Sequence, residues 1–124
     1  MQADARDEYD PRESYVPVWG AELYCREVGR GRPIVVIHGG PDFDQLYLRP
    51  AMDQLSDSYR LIYYDQRGRG RSTGNVQLEQ LCLETYVEDL DRLRKHLGQE
   101  TVAILGYSWG GRVAMEYAVR HRRV

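Results

Sequence analysis

Cysteine is scarce in this sequence, with only Cys25 and Cys82. Two thiols make no disulfide framework, and their separation matches no zinc-binding spacing. An excess of either charge is also lacking. The 17 Lys and Arg against 19 Asp and Glu leave a net charge of −2, so nothing pulls the chain globally toward nucleic acid or an anionic membrane. Long apolar runs are missing too: no stretch approaches the roughly 20 residues that a membrane span requires. The opening residues, MQADARDEYD, have neither a basic start nor an apolar segment, so they do not read as a secretory signal. These absences leave the cytoplasm as the expected location, with neither nucleic acid nor membrane as an expected partner. Histidine is confined to His38, His96 and His121, which limits the candidates for a catalytic base.

What is present suits a globular core. Hydrophobic residues make up 42% and charged residues 29% of the chain, which argues against wholesale disorder. The 124 residues amount to one domain at most. Residues 1–15 are polar and aperiodic and read as a mobile leader, with residues 16–124 as the folded part. Val16–Trp19 and Leu23–Val28 are short extended segments around Gly20, expected to form an antiparallel pair at a sheet edge. Ile34-Val35-Val36-Ile37 is an unbroken β-branched run, the pattern of a parallel strand buried on both faces. Asp44–Ser56 has helical character, with Pro50 expected in the first turn of the true helix.

Arg60–Asp65 reads as the next strand and Gln66–Gly74 as a loop rich in glycine and arginine. Leu83, Val87, Leu90, Leu93 and Leu97 form one stripe of an amphipathic helix, which Gly98 ends. Thr101–Leu105 reads as a further buried strand, and a last helix is expected from about Arg112. Strands alternating with helices imply a mostly parallel α/β sheet, with helices on both faces and an antiparallel pair at its start.

Three segments carry chemistry. Gly106-Tyr107-Ser108-Trp109-Gly110 matches G-x-S-x-G between a strand and a helix. That context makes a sharp turn with the serine at its apex, aimed out from the carboxyl end of the sheet. The N–H of the following residue then lies at a helix N-terminus, where partial positive charge favours an oxyanion. His38-Gly39-Gly40-Pro41 follows the third strand. Glycine there lets a backbone N–H approach a substrate carbonyl oxygen without a side-chain clash. Asp65-Gln66-Arg67-Gly68-Arg69-Gly70-Arg71-Ser72 is a basic loop. It is too short, and too poor in aromatics, to favour nucleic-acid contact.

HGGP, DQRGRGRS and GYSWGG, in that order on successive strands, resemble the proline iminopeptidase branch of the α/β-hydrolase fold, from about Tyr15 onward. The resemblance implies a serine hydrolase that removes an N-terminal residue, often proline, from short peptides, without a metal or organic cofactor. It makes Ser108 the nucleophile and the backbone N–H groups of Gly40 and Trp109 the oxyanion hole. Asp65 to Ser72 would brace the turn from beneath. The Trp109 ring would either wall the substrate pocket or pack internally. The alternatives are an esterase or other hydrolase of the same fold, and a truncated non-catalytic protein that acts through pairing of its open sheet edge.

Two departures stand out. Where the family pattern has HGGPG, this chain has Asp42, a good helix N-cap but an unfavourable charge if it faces an oxyanion. The triad order of the fold is Ser, then Asp or Glu, then His, yet after Ser108 only Glu116 and His121 follow, in the next helix. At 1.5 Å per residue His121 lies roughly 20 Å away. His38 belongs to the glycine loop and His96 to a helix end elsewhere, so no triad acid or base is found. The chain therefore reads as the N-terminal part of the fold, inactive by itself. Its last strand would be left at a sheet edge open to self-association.

Overall fold

The computed structural model describes residues 11–40, 43–73 and 77–121. Five strands form one sheet: β1 (Arg12–Val18), β2 (Ala21–Val28), β3 (Arg32–Ile37), β4 (Tyr59–Tyr64) and β5 (Ala103–Gly106). Three α-helices accompany them: α1 (Arg49–Met52), α2 (Leu83–His96) and α3 (Trp109–Arg120). The strand order is β1-β2-β4-β3-β5. β1 with β2 and β2 with β4 are antiparallel, while β3 is parallel to both β4 and β5. Four of the five strands therefore run the same way, with β2 reversed. Among the described residues no helix is long and apolar enough to cross a membrane.

The β-branched run of β3 lies between β4 and β5, and alternate residues serve opposite faces. Val35 and Ile37 join Ile62, Tyr64, Val87, Leu90, Leu93 and Val113 on the face covered by α2 and α3. Ile34 and Val36 join Leu61, Tyr63, Leu48 and Met52 on the other. Val35, Val36 and Ile37 are all fully buried. Burial on both faces removes any need for a polar side chain at alternate positions, so the strand shows no alternation in sequence.

Several boundaries differ from the sequence reading. Residues 12–15, assigned to the leader, belong to β1, where Arg12 to Tyr15 pair with Glu27 to Tyr24. Their side chains are exposed, which is why their composition mimics a solvated tail. The segment from 44 to 56 is not one helix. A 3-10 turn at Leu46–Leu48 leads into α1, with Pro50 in its first turn, and a second 3-10 stretch covers Asp53–Asp57. α3 begins at Trp109 rather than near Arg112, because the serine turn is itself the helix entry. β5 is half-buried throughout, since among the described residues it is an edge strand with β3 as its single neighbour. Residues 1–10, Pro41, Asp42 and Gly74 lie outside the described residues, and so does the expected N-cap at Asp42.

The topology fixes where a site can form. From the end of β3 the chain passes to α1 on one face, and from the end of β5 it passes to α3 on the other. Adjacent parallel strands whose following segments part to opposite faces leave a crevice at their carboxyl ends. Gly39-Gly40 follows one of these strands and Ser108 the other.

Candidate active site

Ser108 has φ 54° and ψ −116°, and it is the one non-glycine residue with positive φ among those described. A side chain in that region carries strain of about 1–3 kcal/mol, which persists only when its surroundings enforce it. The two glycines of the motif supply the enforcement by allowing backbone-to-backbone contact. A Cβ on Gly106 would lie 2.4 Å from the Gly110 carbonyl oxygen, and one on Gly110 would lie 2.2 Å from that of Ile37. The Tyr107 N–H extends the sheet ladder to the Ile37 carbonyl at 3.0 Å. The amides of Gly110, Gly111 and Arg112 turn back to the carbonyls of Tyr107 and Ser108. This leaves the Trp109 N–H, at the head of α3, beside the exposed serine.

The glycine loop sits against this turn. A Cβ on Gly39 would meet the Tyr107 carbonyl oxygen at 3.3 Å and the Tyr47 hydroxyl at 2.8 Å. Gly40 has φ 122°, a conformation that a side chain would resist. The Gly39 N–H donates to the Tyr47 hydroxyl at 2.7 Å, so of the two glycine amides Gly40 is the one left for a substrate oxygen. The Tyr47 ring makes edge contacts with Phe43 and Tyr107, centroids 5.7 and 5.8 Å apart. These three half-exposed rings form an aromatic rim to the crevice.

The basic loop is structural. The Asp65 carboxylate accepts the N–H groups of Gln45 and Arg71, at 3.1 and 3.0 Å. Ser72 donates its hydroxyl to the Asp65 carbonyl and accepts the Tyr24 N–H, tying the loop to β2. Arg67 is fully buried. Its guanidinium forks onto Asp89 of α2 at 2.8 and 2.9 Å and also reaches Gln80 and the Trp19 carbonyl. The first arginine of the run is thus a buried tie, not a phosphate contact.

Gln66 connects the two halves of the crevice. Its side-chain NH2 donates to the His38 carbonyl at 2.8 Å, and its Oε1 accepts the Trp109 indole N–H at 3.0 Å. The Trp109 ring also packs edge-on to Tyr86. It therefore belongs to the internal packing beneath the turn, the second of the two roles open to it in the sequence.

None of the three histidines is placed as a base for Ser108. His38 is fully buried and engaged with Gly39 and Gln66. His96 is the exposed last residue of α2. His121 caps the far end of α3, stacked on Tyr117 and 3.7 Å from Asp91. Glu116 is paired with Arg112 and Arg120 on the outside of α3. Both cysteines are free, and burial raises the Cys25 thiol to about 12. Among the described residues no cluster of His, Cys, Asp or Glu is arranged to hold a metal ion. Nothing in the sequence signalled the roles of Tyr47 and Gln66. Gln66 lies within the basic-loop motif, but its partners are remote in the chain and only the fold assembles them.

A strand, a strained serine turn and a helix, with a neighbouring glycine loop alongside, define an α/β scaffold that holds the serine at the carboxyl edge of its sheet. The family described as alpha/beta hydrolase fold matches residues 32–123, and this chain belongs to that family. It is 38% identical over 115 residues to a proline iminopeptidase of Clostridioides difficile strain 630, covering 89% of this chain and 39% of that protein. A proline iminopeptidase of Lactobacillus crispatus is 40% identical over 111 residues, covering 85% of this chain and 38% of the relative. Among solved structures, a proline iminopeptidase-related protein from Thermus thermophilus superimposes with a TM-score of 0.80 at 35% identity, covering 89% of this chain and 40% of that one. An epoxide hydrolase from an endophytic Streptomyces gives 0.79 at 26% identity, covering 88% and 33%. The chain thus spans about two fifths of the length of these curated relatives.

Proposed function

We propose that these residues form the nucleophile-bearing part of a serine hydrolase of the proline iminopeptidase type. The observation that carries the reading is the backbone of Ser108, held at φ 54° by two glycines that no larger residue can replace. In the reaction proposed, Ser108 Oγ attacks the carbonyl carbon of the N-terminal residue of a short peptide. The oxyanion is held by the N–H groups of Trp109 and Gly40, the amine of the shortened peptide leaves, and water hydrolyses the acyl-serine. A general base must lie within hydrogen-bond reach of the hydroxyl. Since His38, His96 and His121 are all engaged or remote, the base and its acid come from residues beyond these 124. The relatives with which the chain aligns support a peptidase. Fold likeness to an epoxide hydrolase does not decide the substrate, because one scaffold hosts many chemistries. A cytoplasmic location is part of this reading.

The test compares proline 2-naphthylamide with p-nitrophenyl esters, using the product of the complete reading frame that contains these residues. Faster amide turnover that Ser108→Ala abolishes is the expected result. Equal or better ester turnover sinks the peptidase in favour of an esterase. The 124 residues alone are expected to show negligible turnover, unchanged by Ser108→Ala.

A second reading rests on β5, an edge strand with one neighbour. An open edge pairs readily with another strand, so the chain by itself would self-associate through β5. Sizing chromatography over a concentration series checks this, and a monomer at every concentration disposes of it.

A further inference from the structure

The Gly40 N–H belongs to the same planar peptide unit as the Gly39 carbonyl, and in a trans unit the two point in opposite directions. Whatever holds the carbonyl therefore aims the N–H. The His38 ring lies directly against it, with Nδ1 2.6 Å from the Gly39 oxygen. Its other nitrogen, Nε2, lies 3.0 Å from the Gln66 backbone N. A backbone N–H can only donate, so Nε2 carries no proton. The proton sits on Nδ1 and is donated to Gly39. The Gln66 side chain is oriented just as firmly. The Trp109 indole N–H can only donate, so it takes Oε1, and the NH2 turns to the His38 carbonyl. That NH2 also comes within 3.3 Å of Nδ1, where two donors meet and no hydrogen bond forms.

The preceding peptide unit is pinned as well, by donation of the Gly39 N–H to Tyr47. Gly40, at positive φ, would otherwise be free to rotate this peptide.

We propose that His38 is a positioning residue for the oxyanion hole: its neutral ring, with Nδ1 protonated by virtue of the Gln66 backbone contact, pins the Gly39–Gly40 peptide so that the Gly40 N–H faces the Ser108 crevice. The proposal rests on the hydrolase reading for its catalytic consequence, but its structural content stands apart from it. A second proton on the ring would set Nε2–H against the Gln66 N–H, so the device works only with neutral His38. The surroundings favour that form. Burial lowers the His38 pKa, as does Arg69, against the Gly39 carbonyl and the Asp65 and Asp44 carboxylates, which act to raise it.

Asparagine and glutamine at position 38 separate the two ends of the ring. The Asn amide nitrogen reaches the place of Nδ1 and keeps the bond to Gly39. The Gln amide oxygen reaches the place of Nε2 and keeps only the bond from Gln66. The experiment is nitrogen-15 NMR on the product of the complete reading frame that contains these residues. The wild type is expected to show His38 neutral with Nδ1 protonated. His38→Asn is expected to keep the Gly40 amide shift, and His38→Gln to move it. The amides of Ile34–Ile37 report whether each variant is folded. A proton on Nε2 in the wild type overturns the proposal without recourse to any variant, and so do equal Gly40 shifts in two folded variants.

In the complete enzyme, His38→Gln is expected to lower kcat by about 100-fold with KM little changed, the lower end of the loss on removing an oxyanion donor. His38→Asn stays within a few-fold of wild type. Equal losses in both variants count against positioning. An NMR result as expected in a protein whose turnover ignores Ser108→Ala would instead reject the hydrolase reading alone.

Discussion

Ser108 sits where a side chain is least welcome, and the strain has a measurable sign. Glycine at that position relieves about 1–3 kcal/mol of backbone strain while adding about 0.5–1 kcal/mol of entropy to the unfolded chain. The relief outweighs the entropy. Ser108→Gly is therefore expected to stabilise the fold by about 1 kcal/mol, seen as a higher urea midpoint, while removing the proposed nucleophile. A loss of stability would mean that the serine is not strained in solution. The serine turn was legible in the sequence because G-x-S-x-G is a local pattern whose backbone is fixed by its neighbours. The roles of His38, Tyr47 and Gln66 were not, since each rests on a hydrogen bond to a segment that the sequence does not place beside it, or on a ring orientation that letters do not record.

At the scale of elements, the strand-turn-helix unit depends on how closely α3 approaches β3. The Gly110 position leaves 2.2 Å between a would-be Cβ and the Ile37 carbonyl oxygen, and neither is the end of a flexible side chain. Gly110→Ala must therefore shift the helix against the sheet, with an expected cost above about 2 kcal/mol. Gly98, just past the end of α2, is the control. It has φ 70° but open space around it, so Gly98→Ala should cost only the left-handed backbone penalty of about 1 kcal/mol. Urea melts of the two variants check the order, and equal costs would contradict the close approach. The stripe Leu83, Val87, Leu90, Leu93 and Leu97 predicted α2 correctly, because a helix that buries one face writes its period into the sequence. The segment between β3 and β4 broke into short 3-10 and α pieces instead, and Leu48 and Met52 are its apolar contributions to the core among the described residues.

Across the whole molecule, Asp91 clasps the second layer together. Its carboxylate, on α2, accepts the Tyr117 hydroxyl of α3 at 2.8 Å and pairs with Arg94 and Lys95. Arg94 in turn donates to the carbonyls of Gln99 and Glu100 ahead of β5. Burial by itself would raise the Asp91 pKa. The Tyr117 hydroxyl, Arg94 and Lys95 outweigh it and hold the carboxyl at about 2. A carboxyl of ordinary pKa in the unfolded chain takes up its proton first as pH falls, so the clasp stabilises the fold fully above pH of about 4. That stability, on the order of 1–2 kcal/mol, is lost as pH falls from about 4 to about 2. Acid titration of stability is expected to show this loss in the wild type. Asp91→Asn should be less stable at neutral pH and flatter across the same interval. Parallel acid profiles would remove Asp91 from that role.

The sequence by itself determined the α/β class, the strand buried on both faces, the long amphipathic helix and the serine turn. Each of these follows from periodicity or from a motif whose physical cause is local. The tertiary structure decided what depends on contact between distant segments. It drew residues 12–15 into β1 by pairing with β2 and turned Arg67 inward onto Asp89. It also placed Gly40 and Ser108 on adjacent strand ends whose chains part to opposite faces. The reason is physical: a side chain's burial and hydrogen-bond partners depend on its neighbours in space, and the sequence records only its neighbours along the chain.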